Sequence, residues 1–155
     1  MFELHPACRP LALLLGVWKG SGSGVYPTIE SFSYREEVVF GHVGKPFVSY
    51  VQRTQHAVTG LPLHAESAYL RPVGTDGLEM VVVQPSGIVE IARGTVDGTS
   101  LRLVSTVHTT PTAKECTAVE RDLDVEGDIM RYELRMAAVG QPLQLHLRAE
   151  LRREP

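Results

Sequence analysis

The sequence lacks the features that mark several common protein classes. Its two cysteines, Cys8 and Cys116, are too few for a disulfide framework and do not form the paired Cys-x-x-Cys spacing of structural zinc sites. No run approaches the roughly 20 apolar residues that a membrane-spanning helix needs. The short apolar run 11–15 has neither the basic start nor the small-residue cleavage site of a signal peptide. These absences favour a protein of the reducing cytoplasm with no membrane partner.

A strong charge of one sign is also missing. The formal net charge is −3 and only Arg152 and Arg153 are locally basic, so there is little electrostatic reason to expect a nucleic-acid partner. The six histidines are scattered, without the His-x-His or His-x-x-x-His pairs that often bind metals. The nucleophile-elbow motif Gly-x-Ser-x-Gly is absent as well, which leaves a hydrolytic triad without support.

The sequence does contain a regular alternation of apolar and polar residues, the period of two that sets one face of a β-strand against a core. A length of 155 residues suits one domain, taken as 1–155. Segment 6–15 has helical character, but Pro10 limits it to a short helical turn. We predict ten strands after it, at 17–25, 30–40, 47–55, 63–71, 78–84, 88–96, 100–108, 114–123, 129–138 and 143–152.

The connections between these strands are short, which permits antiparallel neighbours but not parallel crossovers. An open sheet of ten strands would leave two exposed edges, and closure into a barrel removes both. We therefore predict an all-β fold, a ten-stranded antiparallel up-and-down β-barrel of the shape seen in lipocalins and fatty-acid-binding proteins. Such a barrel is wider than side chains comfortably fill, so its interior should contain a ligand cavity.

The first predicted strand has a nearly bare face. Gly16, Gly20, Gly22 and Gly24 share the parity of Trp18, so the indole is the only large side chain on that face. The glycine spacing matches neither a dinucleotide-binding motif nor a phosphate-binding loop. Two interpretations remain: the strand coils so that the barrel can close, or a ligand approaches it closely.

The last predicted strand, 143–152, places a single histidine in a strongly alternating pattern. Its odd positions are mostly leucine, and His146 lies among the polar even positions. From alternation alone, His146 points away from the core as a solvated surface histidine. A cofactor ligand is the other interpretation, because haem needs only one imidazole from the protein and a large apolar slot.

Ordered motifs run along nearly the whole chain. The pattern Gly-x-Trp-x-Gly-x-Gly-x-Gly begins at Gly16 and is followed by Tyr-Pro-Thr at 26–28. Further motif segments lie at 36–46, 62–66, 84–90 and 136–147. In this order the motifs resemble the nitrobindin family, and in particular its stand-alone bacterial members.

The resemblance implies a barrel that holds one haem b per chain in a crevice at one end. It also implies that ferric haem with an open sixth position binds nitric oxide and isomerises peroxynitrite to nitrate, with no catalytic group beyond the haem iron. By resemblance, His146 is the axial iron ligand and Thr28 contacts the haem near the first turn. The remaining residues implied to line the haem cavity are Phe32, Leu63, His64, Gln84 and Met136.

Several alternatives stay open. The haem could lie at the rim, where the polar face of the last strand meets solvent, or the leucines of 143–152 could pack outward against the amino-terminal segment or against a second copy in a homodimer. The same barrel and cavity also suit a haem-free carrier of a small apolar ligand. A nitric oxide sensor or haem chaperone would share the site and differ in rates and partners. Fold alone does not choose between these functions.

Overall fold

A computed structural model of the protein describes residues 2–155. A 3₁₀ helix occupies Pro6–Leu14, and the ten predicted strands follow it. They are β1 (Gly16–Tyr26), β2 (Ile29–Gly41), β3 (Val48–His56), β4 (Pro62–Val73), β5 (Gly77–Val83), β6 (Ile88–Asp97), β7 (Ser100–Thr109), β8 (Cys116–Glu126), β9 (Ile129–Ala138) and β10 (Gln144–Arg153). The largest boundary difference is in β8, which ends at 126 instead of 123. Its turn to β9 needs only two residues, because Gly127 adopts the left-handed conformation with φ of 60°.

The ten strands form one closed barrel, which confirms the predicted topology. Each strand pairs antiparallel with the next along the chain, and β1 closes the barrel by pairing with both β2 and β10. Side chains alternate between interior and exterior along each strand, as in β5, where Leu78, Met80 and Val82 are buried. Within residues 2–155, closure gives every strand a hydrogen-bonded neighbour on both sides.

The 3₁₀ helix closes one end of the barrel. Its Leu11 and Leu14 are fully buried and pack in the core beside Trp18 of β1. The Trp18 indole N–H donates to the Leu14 carbonyl at 2.7 Å, and the Arg153 guanidinium lies 4.3 Å from the centre of the indole ring. Arg153 also donates to the carbonyls of Leu13 and Leu15. No helix within residues 2–155 is long and apolar enough to cross a membrane.

Parts of the barrel itself occupy the bare glycine face of β1. A side-chain carbon at Gly20 would collide with the backbone of Glu150 in β10. At Gly22 and Gly24 it would collide with the rings of Tyr34 and Phe32, respectively. The glycines therefore allow β10 and two aromatic side chains of β2 to approach β1, and Phe32 is itself a residue of the cavity wall.

A β-bulge in β10 explains the position of His146. Leu145 pairs with Arg135 of β9, and Leu147 pairs with the adjacent Leu134, so His146 has no partner of its own. One extra residue reverses which positions face inward. After the bulge the odd positions point into the barrel, where Leu151 is fully buried. The expectation of a solvent-facing His146 is therefore wrong, and an outward leucine face is limited to the residues before the bulge, where Leu145 pairs with Arg135 on the outer face of β9.

Candidate functional site

A cavity of about 530 Å³ occupies the barrel interior and opens at the end away from the 3₁₀ helix. Its mouth lies between the turns that join β1 to β2, β3 to β4 and β5 to β6. Ile29 and Leu63 line the cavity and are 52% and 45% exposed, so it reaches solvent at this end. The cavity continues inward past polar side chains to an apolar base near the closed end, where Phe40, Leu70 and Met130 line it.

Six of the seven residues implied to contact haem line this cavity. They are Phe32, Leu63, His64, Gln84, Met136 and His146, and the part of the cavity that they surround is called the crevice below. Thr28 is the exception, because it lies exposed in the turn between β1 and β2 next to the cavity residue Ile29. A direct haem contact by Thr28 stays a prediction. Leu134, on the alternating apolar face of β9, and Cys116, at the start of β8, also line the cavity.

Backbone contacts fix the orientation of the His146 ring. Its Nδ1 lies 3.0 Å from the carbonyl oxygen of Val25, and because a carbonyl only accepts, Nδ1 must carry the proton. Nε2 is then the unprotonated nitrogen of the neutral ring, the form in which imidazole binds metals. Tyr26 packs edge-on against His146, with the ring centres 5.2 Å apart. This arrangement preorganises a single nitrogen ligand on the cavity wall.

The environment of His146 favours its neutral form. Burial lowers the pKa of His146 below its usual value, and electrostatic repulsion between the His146 and His64 rings lowers it further. The hydrogen bond to Val25 raises the pKa and offsets only part of this effect. A neutral imidazole does not have to lose a proton before it binds a metal.

The turn before β10 is held in a strained conformation. Val139 has a φ of 46°, which is rare for a β-branched residue and costs of order 1–3 kcal/mol. Neighbouring contacts hold it there: the Tyr26 hydroxyl accepts from the Ala138 amide at 2.9 Å, and Glu115 accepts from the backbone amides of Val139 and Gly140. The start of β10, and with it the bulge at His146, is therefore fixed by Tyr26 and by the segment before β8.

A layer of hydrogen-bonded polar side chains crosses the barrel below the crevice. We call it the waist network, and it consists of Tyr34, Glu36, Tyr50, Gln52, Glu66, Glu90, Ser105, Arg121 and Tyr132. At its centre the Arg121 guanidinium donates to Glu66 at 2.6 Å and to Glu90 at 2.6 Å. All three side chains are at most 7% exposed. Buried ions of this kind contribute little net stability, so their presence suggests a role in the site.

The pKa values of two carboxyl groups in the network are shifted in opposite directions. Burial alone would raise the pKa of Glu66, but Arg121 and then His64 outweigh burial and hold it well below its usual range. Glu36 has no such close cation, and burial raises its pKa to about 7, although hydrogen bonds from Tyr132 and Gln52 oppose the shift. Near neutral pH the network therefore contains an ionised Glu66 and a Glu36 that is only partly ionised.

Replacing Glu36 with glutamine should stabilise the protein at alkaline pH. The folded protein holds the Glu36 proton more tightly than the unfolded chain, so this contribution to stability is complete below pH 4.5 and is lost as the pH rises through about 7. With the Gln52 amide turned over, the new amide can also donate to Gln52 Oε1, which is otherwise buried without a partner among residues 2–155. At pH 8 we expect Glu36→Gln to raise the free energy of unfolding by about 2 kcal/mol in urea titrations.

The same titrations at pH 4 should show little difference between the variant and the wild-type protein. Glu37→Gln is the matched control, since Glu37 is the next residue, lies on the outer face and pairs with Lys19 at 3.7 Å. It should leave the pH dependence unchanged. Equal stability of Glu36→Gln and wild type at pH 8 would contradict the raised pKa of Glu36.

The crevice fits haem on three observations. Its wall at the open end is formed largely by apolar side chains, among them Phe32, Leu63 and Met136. One histidine on that wall presents an unprotonated Nε2 with its other nitrogen tied to the backbone. The cavity is open to solvent, as the polar edge of a haem requires, and large enough for most of a macrocycle.

Comparison with known proteins identifies the fold family. A family model described as THAP4-like, heme-binding beta-barrel domain matches residues 7–153. The chain belongs to this family. Membership confirms the resemblance to the nitrobindins, and the match takes in all ten strands and His146.

Relatives of this heme-binding barrel domain are similar to the chain over almost their full length. Peroxynitrite isomerase 2 of Mycobacterium marinum is 52% identical, and Peroxynitrite isomerase 1 of Mycolicibacterium paratuberculosis is 50% identical, with 98% of each chain covered. The crystal structure of Rv2717c from M. tuberculosis superposes with a TM-score of 0.95 at 48% identity, covering 99% of this chain and all of that one.

Proposed function

We propose that the protein binds one haem b per chain through His146 and, in the ferric state, isomerises peroxynitrite to nitrate. The observation that carries the proposal is the bulge in β10, which turns His146 into the crevice with Nδ1 bonded to Val25. The family supports the cofactor, and relatives named peroxynitrite isomerase support the reaction. We also propose that nitric oxide binds the haem iron at the position where peroxynitrite reacts.

The residues of the chain bind and orient the cofactor and limit access to it. When bound, haem supplies an iron with an open position that can act as a Lewis acid toward peroxynitrite or nitric oxide. His146 would hold the iron, and the Val25 carbonyl keeps the imidazole from rotating. Phe32 and Met136 line the crevice with apolar side chains that would exclude water from the macrocycle and confine small reactants beside it.

The interior does not suit a carrier of fatty acids. A bound carboxylate needs a free cationic or hydroxyl donor, and the interior guanidinium of Arg121 is already engaged by Glu66 and Glu90. Glu36 adds a third acid to the same layer. A further negative charge would therefore be repelled in a region of low dielectric. We accordingly favour haem over an apolar acid as the ligand.

Titration of the purified protein with hemin tests the cofactor assignment. We expect saturation at one hemin per chain and a Soret band typical of ferric haem with one histidine ligand. Native mass spectrometry of the protein as purified provides the second readout. A co-purified fatty acid or other apolar molecule, combined with no hemin uptake, would contradict the proposal and favour the carrier.

We further propose that the protein acts in the cytoplasm, as one domain, without nucleic acid or membrane partners, and that it forms a homodimer. Both cysteines are free and buried, as in a reducing compartment. An exposed apolar band crosses the outer face from β2 to β7, and three of its pairs lie directly opposite each other: Val39 with Val51, Tyr69 with Val81, and Val81 with Ile91. The band consists of Val39, Val51, Tyr69, Val81, Val83, Ile91 and Val104. An apolar surface of this kind is typical of subunit interfaces.

Replacing Val81 at the centre of the band with lysine should therefore produce a monomer. Val81 pairs with Tyr69 on one side and Ile91 on the other, so a charge there would be buried in the interface. Light scattering coupled to size-exclusion chromatography measures the mass. Val58→Lys, in the exposed turn between β3 and β4, is the control and should remain dimeric. A wild-type monomer at all accessible concentrations would contradict the homodimer.

A further inference from the structure

We propose that Arg121 is a positioning residue for the crevice, holding His64 and Gln84 in place through Glu66 and Glu90. The inference rests on the proposed function, because the crevice is taken to be the haem site. Arg121 belongs to the waist network and lies on β8, whereas His64 lies near the start of β4 and Gln84 directly follows β5, both at the open end of the barrel. No direct contact between Arg121 and either of them is required.

The first arm of the arrangement runs from Arg121 to His64. Arg121 binds both oxygens of Glu66, at 2.6 and 3.2 Å, in the forked geometry that fixes a carboxylate plane. Glu66 Oε2 then lies 3.3 Å from His64 Nε2. Because an ionised carboxylate only accepts, this contact places the His64 proton on Nε2 and leaves Nδ1 unprotonated in the neutral ring. The tautomer of His64 is thereby set from inside the barrel.

The second arm runs from Arg121 to Gln84. Arg121 binds Glu90 through two nitrogens, at 2.6 and 3.2 Å, and Ser105 donates to the same carboxylate at 2.9 Å. Glu90 Oε2 accepts from Gln84 Nε2 at 2.7 Å. The amide of Gln84 is therefore oriented with its nitrogen inward, and its Oε1 faces Ser86 at the turn.

One guanidinium thus fixes two polar groups on the wall of the crevice. Five N–H donors in a rigid plane can satisfy two carboxylates at once, which a lysine ammonium cannot do with the same geometry. Without Arg121, Glu66 would keep only the His64 ring as an ion-pair partner, and Glu90 would have none within residues 2–155, so each buried carboxylate would move or take up a proton. Either response would release its partner, His64 or Gln84. The side chains of His64 and Gln84 would then face the crevice in more than one orientation.

The test compares Arg121→Met with a matched control, Arg135→Met. Arg135 also binds two carboxylates, Glu120 at 2.9 Å and Asp122 at 2.8 Å, but it belongs to the exterior parity of β9. In the haem-free protein, nitrogen-15 spectra of the histidine side chains report the tautomer of His64. We expect a single Nε2-protonated form in the wild type and in Arg135→Met, and a mixture in Arg121→Met.

The hemin-loaded proteins provide a second readout. Arg121→Met should lower the rate constant for peroxynitrite decay by about 10-fold, the lower end of what loss of a supporting hydrogen-bond partner typically costs. In a His64→Leu, Gln84→Leu background the same substitution should have no further effect, because the residues through which it acts are gone. If Arg121→Met does not fold, Arg121→Lys replaces it in every comparison, with a smaller change in the same direction.

An unchanged His64 tautomer in the Arg121 variant would overturn the proposal. So would an equal loss of rate with and without His64 and Gln84, since that would make Arg121 a structural residue only. If the wild-type protein takes up no hemin, the proposed function fails, but the spectra of the haem-free protein still decide whether Arg121 positions His64.

Discussion

The His146→Leu variant should bind hemin much more weakly than the wild type, because it lacks the side chain that ligates the iron. Even the loss of a hydrogen-bond partner of a metal ligand costs about 10- to 100-fold in affinity or activity, so removal of the ligand itself should weaken binding by more than about 100-fold. The leucine side chain fits the half-buried site without introducing a charge, and the fold should therefore remain. Hemin titration followed at the Soret band measures the effect, with circular dichroism to verify the barrel.

Two control variants separate ligation from general effects of removing a histidine. His108→Leu changes an exposed residue of β7, and it should bind hemin as the wild type does. His64→Leu changes the second histidine of the crevice, and it should keep the histidine-ligated band because His146 is intact. A Soret band that persists unchanged in His146→Leu, or one that disappears in His64→Leu alone, would contradict the assignment of His146 as the iron ligand.

Trp18→Ala should cost about 3–5 kcal/mol of the free energy of unfolding, the range for removing a large buried aromatic side chain. Trp18 has no exposed surface, and it joins the 3₁₀ helix to the barrel through its bond to Leu14. Its loss also removes the surface on which the Arg153 guanidinium stacks. Chemical denaturation at neutral pH measures the loss directly.

Trp18→Phe is the matched control for this result. It keeps an aromatic ring in the core but loses the N–H that donates to Leu14, so it should cost less than Trp18→Ala. Because Trp18 lies at the closed end, Trp18→Phe should bind hemin with wild-type affinity. A hemin affinity that falls in proportion to stability in both variants would show that the two ends of the barrel are not independent.

The sequence predicted the barrel well because strand alternation is a local signal. Ten strands and short turns were sufficient for antiparallel closure, and the stripe of Met130, Leu134 and Met136 lines the cavity as its parity requires. The same rule gave the wrong direction for His146. A bulge inserts one residue and reverses which positions of the strand face inward. The regular alternation of leucine through 143–152 gives no sign of the bulge, because each half of the strand alternates normally but turns the opposite set of positions inward.

The waist network was not predicted, although a weak signal exists. Glu66, Glu90 and Arg121 each interrupt the inward parity of an otherwise apolar strand face. Contacts such as that of Arg121 on β8 with Glu66 on β4 cross the barrel, and they depend on closure and register rather than on local pattern. The resemblance to the nitrobindins provided the crevice residues, which alternation would have assigned to core or rim.

The nitrate yield from peroxynitrite tests the central claim most directly. Ferric wild-type protein, free hemin at equal concentration and His146→Leu mixed with hemin are compared by stopped-flow decay and by nitrate analysis after completion. Isomerisation in the crevice predicts that the wild-type protein alone raises both the decay rate and the nitrate yield above those of free hemin. A wild-type protein that gives the same rate and yield as free hemin would contradict it.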